Sequence, residues 1–296
     1  MKDLAIIILN YNSYSDVTRQ IIEFSNDAKI KDGLIILDNN SDDGNALSEF
    51  CDEKDVFFHQ MGSNLGYAHA NNWGLKKAIS LGKTTLLLLN PDIHIKTKDI
   101  DDLYKTLEDN PDLGVVGPRL LYAEEPSKIF SDGGLLFPKK GFEGNHVHFN
   151  KNIDEVKIEG LNYNIDYVNG SCMMFRKEVL EELGFMIEEL FMYYEESEWC
   201  YRIKNKSKWK IAIDTDVHAY QSDSSRGKVY EYYMTRNRIW LTKKYSGNLF
   251  FVLRERMIFA RKKLFSSKGK FKDNLSFSRN VVKGIFDGLT NKLTKL

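Results

Sequence analysis

The feature that most constrains this chain is an alternation within its first 110 residues. Short runs rich in Ile, Leu and Val recur at 4–9, 34–38, 56–59 and 84–89, separated by amphipathic stretches near 16–25, 43–53, 68–81 and 99–109. Apolar runs this short, without a polar alternate, are what strands buried on both faces require, and such strands belong to a mainly parallel sheet. Parallel neighbours need crossover connections, so the amphipathic stretches become helices of right-handed βαβ units. Ser13 or Ser15 can cap the first of these helices, and Asn110-Pro111 ends the last. The expected class is α/β.

The later sequence is less regular. Gly133-Gly134, Pro138 and Gly141 mark hairpins and loops within 114–170. Residues 175–183 (FRKEVLEEL) predict a helix stopping at Gly184, 195–204 a second helix, and 209–213 a further strand. From Tyr230 the pattern is helical, with Leu253, Met257, Ala260 and Leu264 on one face. Charge divides the chain in the same region. The total is zero, yet 249–296 holds 12 Lys/Arg against 3 Asp/Glu, a local charge of +9 that leaves −9 on 1–248. The expected organisation is a domain over 1–248 and a basic amphipathic helical extension over 249–296. That extension suits an anionic membrane surface, or packing on the main domain or on a second copy in a homodimer.

Cys51, Cys172 and Cys200 are far apart and show no metal-ligand spacing, which argues against a disulfide framework or a zinc site and for a reducing compartment. The apolar run at 4–9 is too short for a signal peptide, and no run approaches the roughly 18 apolar residues of a membrane span. The expectation is a cytoplasmic protein, peripheral on the membrane where the tail engages it, with no nucleic-acid partner.

Ligands of open α/β sheets bind beyond the carboxyl ends of the strands. Three strands here end in polar sequence: Asn10-Tyr11-Asn12-Ser13, Asp38-Asn39-Asn40-Ser41-Asp42-Asp43-Gly44 and Asn90-Pro91-Asp92. One such cluster is ordinary turn chemistry. Three on one edge favour a binding site. Asp38 is placed to accept from the imide N–H of a uracil or thymine ring, and Asp92 to hold a divalent cation against a diphosphate, because hard cations prefer carboxylate oxygen. Asn64-Leu65-Gly66-Tyr67-Ala68 leads into a helix bearing Asn71 and Asn72, where a glycine lets backbone approach a ligand at a helix N-terminus. The densest acidic cluster, Glu195-Glu196-Ser197-Glu198, lies among Phe191, Tyr193, Tyr194, Trp199 and Tyr201. A carboxyl in apolar surroundings has a raised pKa and can serve as a general base. His218 follows the predicted strand at 209–213, accompanied by Ser222, Ser224 and Arg226.

Taken together with Gly170-Ser171-Cys172-Met173-Met174-Phe175-Arg176 and Phe191-Met192-Tyr193-Tyr194-Glu195-Glu196, these motifs resemble the family 2 glycosyltransferases, in particular the rhamnosyltransferase-like enzymes of surface-polysaccharide assembly. The matches run in family order from residue 4 to about residue 245. The resemblance implies a GT-A fold and inverting transfer from a nucleotide-sugar donor to a glycan or lipid-linked glycan acceptor. It places Asn10, Tyr11, Asn12, Asp38, Asn40, Asn64, Gly66, Asn71, Asn90 and Arg236 in the donor pocket. It implies Mn²⁺ or Mg²⁺ at Asp92, with His218 completing the site, and a catalytic base at Glu196 or its neighbour Glu195. Two positions depart from the family pattern. Its DxD motif reads Asn90-Pro91-Asp92 here, and its usual Asp base is a Glu. A nucleotidylyltransferase would need a Gly-rich basic loop after the first strand, a dinucleotide dehydrogenase a GxGxxG. Neither is present. A non-catalytic nucleotide-sugar or glycan-binding protein would keep Asp38 and Asn64 without needing Glu196.

Overall fold

A computed structural model describes residues 2–222, 229–266, 271–293 and 295–296. The first half follows the predicted alternation: β1 (Leu4–Asn10), α1 (Tyr14–Ser25), α2 (Ala28–Lys31), β2 (Leu34–Asp38), α3 (Gly44–Lys54), β3 (Phe57–Gln60), α4 (Tyr67–Ser80) and β4 (Thr85–Leu89). All pairings among β3, β2, β1 and β4 are parallel. Side chains of β1 alternate between two cores, as a period of two requires. Ile6 and Ile8 meet Val17, Ile21, Phe24 and Leu47 on one face, while Ala5 and Ile7 meet Ala68, Leu75 and Ala78 on the other. Burying both faces of β1, β2 and β4 supplies most of the drive to fold, whereas β3, at the sheet edge, is partly exposed rather than buried as its apolar run predicts.

The chain continues through β5 (Ile93–His94), α5 (Thr97–Asp109), β6 (Leu113–Tyr122), β7 (Ile129–Ser131), β8 (Gly134–Phe137), β9 (Glu143–His146), β10 (Leu161–Asn162) and β11 (Cys172–Arg176). Then follow α6 (Lys177–Leu183), α7 (Glu195–Lys206), β12 (Lys210–Gln221), α8 (Tyr230–Lys244), α9 (Leu249–Leu264) and α10 (Phe271–Leu289). The long sheet has the order β10-β12-β6-β11-β4-β1-β2-β3. Antiparallel β11 is wedged between β4 and β6, so the sheet is parallel from β3 to β4 and mixed beyond.

Two predicted elements change. Phe175 and Arg176 end β11 rather than begin a helix, because the apolar run Cys172–Phe175 fills the gap beside β4; the helix starts only at Lys177. The strand expected at 209–213 extends to Gln221 through a register shift between Asp214 and His218, and the polar Asp214-Thr215-Asp216 stretch hid its continuation.

The basic extension is folded back. Tyr232 Oη on α8 donates to Asp287 on α10 at 2.7 Å, and Ser278 Oγ on α10 donates to the Ala260 carbonyl of α9 at 2.9 Å. Of the face predicted for α9, Ala260 is buried but Met257 is exposed, and Val252 supplies the other buried contact. Among the described residues, no helix is long and apolar enough to cross a membrane.

Candidate active site

The ends of β1 and β2 form a closed polar lattice. Asp38 is 0 % exposed, and its carboxylate accepts from Asn10 Nδ2 at 2.9 Å, the Ser41 amide at 3.0 Å and Gln60 Nε2 at 3.3 Å. Asn10 Nδ2 also reaches Ser41 Oγ and Asp43, each at 3.1 Å. Burying so many polar groups is tolerable because each is paired. Asp38 therefore lies beneath this edge with its oxygens already served, rather than bare at its surface. What the edge exposes is Tyr11, at 51 %, together with Asn12 and Asn40. Both asparagines have positive φ, 55° and 64°, a conformation Asn tolerates better than most residues.

Asn39, which the sequence reading passed over, ties β2 to the next loop. Its Nδ2 donates to Asn64 Oδ1 at 3.1 Å and its Oδ1 accepts the Leu65 amide at 2.9 Å, while Asn64 Oδ1 also takes the Gly66 amide at 3.0 Å. Gly66 has φ 85° and ψ 177°, a region in effect reserved for glycine. A Cβ there would stand 2.2 Å from the Phe191 carbonyl oxygen, so the close backbone approach this glycine permits is to Phe191. Asn71 Nδ2 turns back to the Tyr67 carbonyl at 3.0 Å. Asn72 instead reaches Met186 and Glu188.

The Asn90-Pro91-Asp92 turn at the end of β4 is held by α1. Gln20 Nε2 donates to the Asn90 and Ile93 carbonyls, both at 2.9 Å, and Arg19 to the Pro91 carbonyl at 3.0 Å. Asp92 is half-buried, and desolvation raises its pKa, partly offset by hydrogen bonds from its own backbone amide and from Gln221. Gln221 Nε2 lies 3.4 Å from Asp92 Oδ2, and the Gln221 Oε1 atom is buried with no hydrogen-bond partner among the described residues.

His218 does not join Asp92. The Ser222 amide donates to the Asp92 carbonyl, which places Asp92 at the end of β12. From His218 to Gln221 the strand runs in unbroken register with β6, so those two side chains, three residues apart, point to opposite faces with roughly 10 Å between them along the strand. The His218 ring contacts the Thr215 carbonyl at 3.2 Å instead. Among the described residues no three His, Cys, Asp or Glu side chains form a metal-holding group. Ser224 and Arg226 lie outside the described residues.

Glu196 faces this turn across a short bridge. The Asn90 amide donates to the Ser171 carbonyl at 2.8 Å, and Tyr67 Oη donates to the Gly170 carbonyl at 2.6 Å. A Cβ on Gly170 would lie 3.1 Å from Tyr67 Oη and 3.3 Å from Glu196 Cβ, so Tyr67, Gly170 and Glu196 form one wall. Desolvation raises the Glu196 pKa, with Ser197 Oγ, donating at 3.0 Å, as a partial offset. Glu195, 1 % exposed, is raised well above the ordinary range by burial and then by the Glu196 charge; its Oε1 has no partner. Tyr67 is likewise raised by burial and by both glutamates.

The approach to α7 is strained. Phe191, Tyr193 and Tyr194 all have positive φ, 67°, 70° and 74°. Helix α8 holds this path open. Asn237 Nδ2 lies 3.0, 2.9 and 2.8 Å from the Leu190, Met192 and Tyr193 carbonyls, and Arg236 Nη2 2.6 Å from that of Leu190. Arg236, expected in the donor pocket, is fully buried behind it and braces the segment leading to the glutamates. Asn237 carries no local sequence signal, because its partners lie 44 to 47 residues away.

The family model described as Glycosyl transferase family 2 matches residues 5–184. This chain belongs to that family. It is 30% identical over 252 residues to the low-salt glycan biosynthesis hexosyltransferase Agl10 of Haloferax volcanii, covering 80% of this chain and 75% of that protein. It is 24% identical to the dTDP-rhamnosyl transferase RfbF of Shigella flexneri, covering 83% and 85%. Among solved structures, GalNAc-T7 with UDP, GalNAc and Mn²⁺ superposes with a TM-score of 0.65 at 14% identity, over 98% of this chain but 56% of that longer one. The mannosyltransferase PcManGT of Pyrobaculum calidifontis, in complex with GDP-Man and Mn²⁺, gives 0.56 at 12%, over 98% and 88%. The fold of this glycosyltransferase is therefore GT-A, as the resemblance implied.

Proposed function

We propose that this glycosyltransferase moves a sugar, with inversion, from a UDP- or dTDP-linked donor to a hydroxyl of a glycan or lipid-linked glycan in surface-polysaccharide assembly. The observation that carries the reading is the single wall joining Asp92, through Asn90, Ser171 and Gly170, to Glu196. The likeness to Agl10 and RfbF supports the substrate class, and RfbF makes dTDP-rhamnose the first donor to try.

Glu196 takes the proton of the acceptor hydroxyl as its oxygen bonds to the anomeric carbon. The bond from that carbon to the diphosphate breaks on the opposite face, and its electron pair leaves with the nucleotide. Base catalysis of this kind contributes about 10²–10⁴-fold. Tyr67 and Gly170 shape the wall beside Glu196, and Tyr11, exposed at the end of β1, offers a ring to the nucleobase. Asp92 is the residue to hold Mn²⁺ or Mg²⁺; its half-buried carboxylate, next to the Gln221 amide, suits a hard cation. Such an ion, when bound, neutralises charge on the departing diphosphate. The donor domain spans 1–248. The extension presents Phe250, Phe265, Phe271, Phe286 and Met257 among its basic residues, a face suited to an anionic membrane carrying the acceptor.

A thermal-shift comparison of UDP-, dTDP- and GDP-sugars, with and without Mn²⁺, tests the reading. A ligand at a hundredfold its Kd stabilises by about 2.7 kcal/mol. A UDP- or dTDP-sugar should raise Tm, and more so with Mn²⁺. No shift with any of them, or a shift with GDP-sugars alone, overturns it.

A further inference from the structure

Among the described residues no three His, Cys, Asp or Glu side chains gather to hold a metal, Asp92 is the one acid that the Asn90-Pro91-Asp92 turn itself supplies, and His218 lies on the other face of β12. A divalent cation held by diphosphate oxygens and one carboxylate would be poorly fixed relative to the protein. A second protein oxygen is nonetheless at hand. The pairing of β5 with β12 sets Gln221 opposite Ile93, next to Asp92. The Gln221 amide already meets the Asp92 carboxylate at 3.4 Å through its nitrogen, a long contact. Its oxygen is buried and meets no donor among the described residues. An unpaired buried carbonyl oxygen is unfavourable, and in a native site it calls for an explanation such as a bound water or ion.

The geometry points to Gln221 as the second protein ligand of the cation, its amide turned over so that Oε1 takes the position beside the Asp92 carboxylate that Nε2 holds here, in the place the family resemblance gives to His218. An amide oxygen is a hard, neutral donor of the kind Mg²⁺ and Mn²⁺ accept. With Gln221 in place of an imidazole the site offers oxygen alone, which selects against zinc and other metals that favour nitrogen. It also explains how Asn90-Pro91-Asp92 can serve with one acid: the missing protein ligand comes from the far end of β12 rather than from the turn itself. This inference rests on the nucleotide-sugar reading above.

The test is Mn²⁺ binding, followed by the loss of the free-ion paramagnetic resonance signal, with UDP or dTDP present and no turnover required. Gln221→Met keeps the length of the side chain and removes the oxygen; it should weaken Mn²⁺ binding by about tenfold or more, since even residues that only support a ligand cost 10–100-fold when lost. Gln221→Glu should restore or tighten it, and His218→Ala should leave it within about twofold. Melting without metal shows whether each variant is folded, and the Met/Glu pair separates a ligand from a packing residue, because packing alone gives no rescue by Glu. Unchanged binding in a folded Gln221→Met, or a tenfold loss in His218→Ala, overturns the assignment while leaving the donor reading intact. Absence of Mn²⁺ binding by the unaltered protein with either nucleotide overturns both.

Discussion

The edge formed by β1 and β2 and the segment entering α7 are both made of tight turns, yet they are built on opposite principles. At the first, Asn10, Asp38, Asn39, Ser41 and Asn64 satisfy one another, and positive φ falls on Asn12, Asn40 and Gly66, residues that accept it cheaply. At the second, positive φ falls on three aromatic residues, and the helix that follows begins with Glu195, buried and lacking a partner for Oε1 among the described residues, and Glu196, partly buried. Such strain, at about 1–3 kcal/mol per residue, survives only where the surroundings over-determine it. Here the surroundings are Arg236 and Asn237 on α8. The comparison teaches that the edge of β1 and β2 is a self-satisfied polar cradle, while the segment entering α7 carries the energetic burden of its strained backbone and its glutamates; in the proposed reading these are the donor and acceptor sides.

The two regions touch at Gly66, and that contact is where the contrast breaks most easily. Gly66→Ala should cost about 3 kcal/mol, from its glycine-only backbone and the clash with the Phe191 carbonyl. Denaturant unfolding measures the loss, and nucleotide affinity and turnover should fall together because both regions move. Asn237→Ala touches only the strained side. It should cost about 2 kcal/mol by leaving buried carbonyls unserved, with turnover reduced more than donor affinity, as kcat and KM measured separately would show. Its mirror on the donor side, Asn39→Ala, should cost about 1 kcal/mol and raise KM for the donor with kcat nearly kept.

The smallest effect sharpens the comparison through pH. Glu195 has its folded pKa raised above the unfolded value near 4.3, so its contribution to stability is full below that value and is lost as pH rises through the folded pKa. Glu195→Gln should flatten the fall in Tm as pH rises above the ordinary glutamate range. An unchanged slope would mean the burden rests on Glu196 alone.

How far the sequence foretold this follows from the range of each interaction. β1, β2 and β4 are legible because Ile and Leu runs state their own burial, and the polar strand ends mark the edge where the candidate site is proposed. Asn39 was missed beside Asn40 because the two look alike in sequence; only the αL turn at Asn40 sends one inward and the other to solvent. Gln20, Gln221 and Asn237 meet partners 44 to 129 residues away, and one sequence carries no trace of such pairing. Arg236 was assigned to the donor and His218 to the metal by family position, but helix packing buries the first and strand parity turns the second aside.

The central claim is that the strained acceptor wall exists to hold Glu196 as the base. The most direct test is single-turnover transfer by Glu196→Gln and Glu195→Gln against the unaltered enzyme over pH 5–9, with donor affinity measured alongside. Because burial raises the Glu196 pKa and only the ionised form accepts a proton, the unaltered rate should fall as pH drops through a value above the ordinary glutamate range. Glu196→Gln should bind donor normally, lose about 10²-fold or more in rate and lose that acid limb. Near-normal transfer by Glu196→Gln, with the loss falling on Glu195→Gln instead, would contradict the account.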